Sequence, residues 1–87
     1  MTRVEYTLKD IDECKEFIDE MYADENRKQY FNKVYSFLMK AKSGDKIDID
    51  KVVKPSKLQD FIGVVCVYIW DSNRAEFSSD YRFVKIL

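Results

Sequence analysis

The apolar positions of this chain fall into a few runs with distinct rhythms. Over residues 10–22, Ile11, Cys14, Ile18 and Met21 recur every three or four residues, and Phe17 and Tyr22 widen the stripe. Asp12, Glu13, Glu16, Asp19 and Glu20 fill the other side, so the spacing predicts a one-faced helix with an acidic exterior. Thr7 with Asp10, or Asp10 with Glu13, supplies a capping pair at its start. After a break at residues 23–25, Asn26 and Gln29 resemble a second capping pair, and a helix is expected to run to about Lys42. Its apolar face is broad: Tyr30, Phe31, Val34, Tyr35, Phe37, Leu38 and Ala41. Lys40 and Lys42 suit the negative end of that helix, and Gly44 is placed to close it in a left-handed turn.

Residues 46–50 alternate, with Ile47 and Ile49 on one side, and read as a short strand. Asp50 can cap a brief helical turn over residues 51–53, which Lys54-Pro55 then stops. The segment KPSKLQDFIGVVCVYIW follows, with ten uncharged residues at 61–70. Its β-branched residues suit a buried strand as well as a helix. A helix is favoured by the Ser56–Gln59 capping spacing, by helical spacing from Leu58 to Ile69, and by a length that is large for a strand. Gly63 opposes it by about 1 kcal/mol of propensity. Leu58, Phe61, Ile62, Val65 and Ile69 line one side, and Val64, Val67 and Tyr68 the other. A helix apolar nearly all round lies in the middle of something. A turn at residues 71–74 then leads to two short strands, 75–77 and 81–86, around a Ser78-Ser79-Asp80 tip. In the second strand Tyr81 and Phe83 alternate with Arg82 and Val84.

These elements make a small α+β domain. At 87 residues the chain has room for one: an acidic helical segment at 1–25 and a body at 26–87. The two cysteines, Cys14 and Cys66, fall at apolar positions and read as buried thiols. The opening nine residues are polar and lack the apolar core of a signal peptide. The longest apolar run is too short to span a bilayer, so a cytoplasmic location without membrane contact is expected. No histidine is present, which removes the usual general base and the commonest zinc ligand. The six serines have no base to activate them, and no Gly-rich phosphate loop exists. Glu13, Glu16 and Glu20 share a helix side, but a lone face lacks the oxygen cage that calcium needs. No enzymatic activity, cofactor or metal site is expected.

Charge is near balance overall, at −1, but unevenly spread. Residues 1–25 hold nine acids against three bases, and residues 26–57 hold nine bases against three acids. Such asymmetry either marks an interaction surface or is neutralised within the fold.

Helix, short strand, short helix, turn, long helix and hairpin is an order that resembles the winged helix-turn-helix domain. KIDI stands for the first strand, DKVV for the short helix, KPS for the turn, KLQDFIGVVCVYIW for the third helix and EFSSDYRFVKI for the wing. The resemblance spans residues 26–87 and rests on element order. It implies DNA binding, with the third helix in the major groove and the wing on the backbone. For that role the chain offers Lys46, Lys51, Lys54, Lys57, Gln59, Arg74 and Arg82, either gathered on one face or scattered. Asp60 and the valines of the third helix depart from a base-reading face, and the net charge neutralises little phosphate. The alternative, which the residues suit better, is a protein-interaction or self-associating module. Val64, Val67, Tyr68 and Trp70 are the expected contact patch, left over once the other side of the long helix is covered, with a two-fold homodimer as the simplest partner; the competing reading is that the acidic N-terminal helix covers the patch and the protein is a monomer.

Overall fold

The structure, a computed structural model, describes residues 2–87; Met1, the first residue of the polar opening segment, lies outside the described residues. A 3-10 turn at Arg3–Tyr6 leads into α1 (Ile11–Tyr22) and α2 (Glu25–Lys40). β1 (Lys46–Asp48), the short α3 (Ile49–Val52) and a 3-10 turn at Pro55–Lys57 follow. The long α4 (Leu58–Ser72) and the hairpin of β2 (Ala75–Phe77) and β3 (Phe83–Ile86) complete the chain. The three strands form one antiparallel sheet in the order β1-β3-β2. This is the expected α+β order, and it is compatible with a winged-helix-like arrangement.

Residues 61–70 are helical, and the reason lies in what surrounds them. Arg27 and Tyr35 of α2 reach Asp60 and Asp71 on one side of α4. Phe17 of α1 lies on Gly63, and the Leu8 N–H points at the Cys66 sulfur from another side. β2 packs on a further side. Every residue from Phe61 to Tyr68 is therefore buried. At about 25 cal/mol per Å² of apolar area removed from water, this enclosure outweighs the poor helix propensity of the valines and of Gly63.

Several local expectations are corrected. Asp24, not Asn26, caps α2: its carboxylate accepts from the N–H groups of Asn26 and Arg27 at 2.9 and 3.2 Å. Asp48, not Asp50, caps α3, which ends the strand two residues early. Ser56 makes no cap for α4, because Pro55 starts a 3-10 turn that carries Ser56 inside it. α2 ends at Lys40 on an extended Ala41, so Gly44, with φ +94°, serves the later turn into β1. There its N–H donates to the Ile86 carbonyl at 2.7 Å. Tyr81 has φ +56° and lies outside β3, whose buried residues are Val84 and Ile86. Phe83 turns to the opposite face of the sheet. Asp10 caps α1 as expected, accepting from the Glu13 N–H at 2.8 Å.

Candidate functional site

The four residues expected to form a contact patch do not share a surface. Val64, Val67 and Tyr68 are buried within the chain itself. Val67 lies among Ile18, Tyr22 and Phe31, and Tyr68 meets the Tyr35 ring edge-on at 5.5 Å. Trp70 alone is open, with half its surface exposed. α1 and α2 cover Val67, and α2 covers Tyr68, while the segment before α1 and β2 pack on α4 as well.

The seven candidate nucleic-acid residues separate into groups. Lys46 holds its ammonium 4.2 Å over the Phe83 ring, on the outer face of the sheet. Arg82 is engaged by Asp48 and Asp50, at 3.3 and 3.5 Å. Arg3 also bonds Asp50, and it donates to the Tyr81 carbonyl at 3.1 Å, tying the opening turn to the hairpin. Arg74 stands at the other end of the hairpin, opposite Leu87. At ~3.3 Å per residue that puts roughly 15 Å of strand between Arg74 and Arg82. Gln59, at the start of α4, lines a cleft with Glu5, Glu13, Glu16 and Glu20. Lys51, Lys54 and Lys57 are exposed around α3 and the turn after it.

Exposed apolar side chains and cations meet at a groove of about 220 Å³ between α2, α3 and the start of α4. Tyr30, Lys33, Val34 and Phe37 form one wall, with Val52 opposite and Phe61 on α4. Val34 and Phe61 are buried, whereas Phe37 and Val52 are 50% and 57% exposed. Phe37 and Val52 went unremarked as site residues in the sequence, although one signal was present. At 100° per residue, Tyr30, Phe31, Val34, Tyr35, Phe37 and Leu38 of α2 cover an arc of about 160°, and the exposed Met39 carries it to about 200°, wider than one core needs. Phe31, Val34 and Leu38 fill the centre of that arc and are buried. Tyr30 and Phe37 lie at one edge of the arc and open into the groove. Tyr35 lies toward the other edge, held by its bond to Asp71.

The electrostatics of the groove are one-sided. The Lys57 ammonium lies 5.2 Å over the Tyr30 ring, and Lys33 is part of the wall. Lys51 and Lys54 flank Val52 and Val53 in the chain. The nearby acids are engaged: Asp60 by Arg27 at 2.9 Å, and Asp50 by Arg3 and Arg82. Among the described residues, no ion pair joins the acids of α1 to the bases of residues 26–57. The charge asymmetry therefore persists on the surface. Burial, with a smaller push from Asp60, raises the Tyr30 phenol above its usual value, so it stays protonated at neutral pH. Burial likewise pushes the Cys14 thiol up to about 11 and raises Cys66, away from the thiolate that reactivity requires.

Among the described residues, no helix is long and apolar enough to cross a membrane, and no three His, Cys, Asp or Glu side chains come together as metal ligands would. Set against protein families, curated proteins and solved structures, the chain finds no match.

Proposed function

We propose that this chain is a non-enzymatic protein-interaction module of winged-helix-like build. The observation that carries this reading is the pair of half-exposed side chains, Phe37 and Val52, over an apolar groove rimmed by lysines. Exposed apolar clusters of this kind mark binding surfaces more often than accidents of packing. The enclosure of α4 supports the same reading. A helix that reads bases must offer polar side chains to the major groove. Here α4 offers Gln59 beside four glutamates, and Asp60 bound to Arg27.

DNA binding through the hairpin is the second reading, and one observation favours it. Lys46 and Lys85 are direct cross-strand partners on the outer face of the sheet, next to Phe83. Glu76 is the partner of Lys85 from β2 and offsets part of that positive charge, so this like-charge pair draws an anion only weakly.

Titration of the labelled protein into mixed-sequence duplex DNA at 50, 100 and 200 mM salt, paired with light scattering, separates the two readings. The interaction reading expects only weak binding that vanishes by about 200 mM salt, since few phosphates are neutralised. Tight binding with a steep salt slope, weakened by Lys46→Ala, would give the protein to DNA.

A further inference from the structure

The groove specifies its partner more narrowly than the interaction reading on which this step rests. We infer that it takes an acidic amphipathic helix from another protein, with apolar side chains seated on Phe37, Val52 and Tyr30 and carboxylates facing the lysine rim. Three features converge on that chemistry.

The first is length. Tyr30 and Phe37 are seven residues apart on α2, or about 10 Å at 1.5 Å per residue. That matches the i, i+3/i+4, i+7 spacing through which a partner helix enters a groove. The second is charge. On the α2 wall the cation is Lys33, since Arg27 is paired with Asp60 and Lys28 lies over the Tyr22 ring, away from the groove. Across the groove Lys51, Lys54 and Lys57 are exposed, while Asp50 and Asp60 are already paired. A basic partner would be repelled here, and a neutral one would leave the rim unused.

The third is that the chain's own acidic helix is committed elsewhere. Cys14, Phe17 and Met21 are buried in the core, so α1 has no free apolar stripe to lend to the groove of another copy.

The test uses the full chain, 15N-labelled, and two synthetic sixteen-residue helices. One carries Leu at i, i+4, i+7 and i+11 with Glu at the remaining exposed positions, and the other has Lys in place of every Glu. The Glu peptide should shift the amides of residues 30–37 and 49–54, with the Lys peptide at least about tenfold weaker at low salt, where charge contacts are least screened. Phe37→Ala should weaken the Glu peptide at least tenfold. Lys33→Glu with Lys54→Glu should do the same, and the thermal melt should stay near that of the parent because these side chains are exposed. Equal binding of both peptides, no binding by either, or shifts confined to α1 or the sheet would overturn the acidic-helix inference while leaving an interaction role standing. Concentration-dependent shifts in the groove without peptide would also overturn it, by making a second copy the occupant. Saturable DNA binding that shifts Lys46, Lys85 and Phe83 would overturn both.

Discussion

The ring of Phe17 lies directly on Gly63: a methyl group placed on that glycine would meet three ring carbons at 2.4, 2.5 and 2.9 Å. A glycine in mid-helix sacrifices about 1 kcal/mol of propensity, and here the contact explains why it stands. The ring is in turn held 6.3 Å from that of Phe31, which limits where it can move.

Gly63→Ala should therefore destabilise the protein by about 1–2 kcal/mol, overpacking outweighing the gain in propensity. In a Phe17→Leu background the same change should be neutral or stabilising. Urea unfolding of the four proteins of this cycle gives the coupling directly. Stabilisation by Gly63→Ala in the parent would show that the ring swings away freely.

Val65 and Trp70 should respond in opposite ways to a charge. Val65 is fully buried on α4, and Val65→Asp should unfold the protein, since an unpaired buried carboxylate costs several kcal/mol. Trp70→Glu should change stability by less than about 1 kcal/mol, because half of the indole already faces solvent. Light scattering before and after Trp70→Glu checks the associated point. A dimer dispersed by this change would restore Trp70 as a contact residue.

These two positions also show how far the chain could be read from its residues. The long helix and its central place followed from apolar spacing, which needs no knowledge of neighbours. Which of its residues stay uncovered depends on the partners of each face. Val67 and Tyr68 are covered by α1 and α2, and nothing in the apolar spacing of those helices says which side of α4 they take. The cap of α2 was misplaced for a different reason. Asp24 and Asn26 are both competent caps, and only the fold decides which carboxylate or amide meets two free N–H groups. The groove left a trace in the excess width of the α2 apolar arc, but its second wall, Val52, comes from a four-residue helix with no periodicity to read.

Thr7 offers a stabilising change. Its hydroxyl oxygen is buried without a hydrogen-bond partner among the described residues. An unpaired buried hydroxyl costs about 1–3 kcal/mol relative to an apolar group of the same shape. Thr7→Val should raise stability by about 1 kcal/mol, read as a higher urea midpoint at an unchanged slope. A loss of stability would mean that a water bonds the hydroxyl.

Alkaline pH should weaken the fold through groups whose protons are held more tightly in the folded chain, with Tyr35 and Cys14 the most strongly shifted. Burial, reinforced by donation to Asp71 at 3.0 Å, pushes the Tyr35 phenol up to about 12 from its ordinary 10.0. Burial first, and nearby acids after it, push the Cys14 thiol up to about 11 from 9.0. In both cases the folded value lies above the unfolded one. Between the two values the unfolded chain has released a proton that the folded chain keeps, so the folded state loses ground as pH rises. Their contribution is complete below about pH 9 and is lost progressively toward pH 11–12. Urea midpoints measured from pH 8 to 11 under reducing conditions should fall with pH. Cys14→Ala should flatten the lower part of that fall, and Tyr35→Phe the upper part. Burial raises Tyr30 and Cys66 too, so the difference between parent and variant carries the result. Profiles that fall in parallel for all three proteins would remove Tyr35 and Cys14 as the cause.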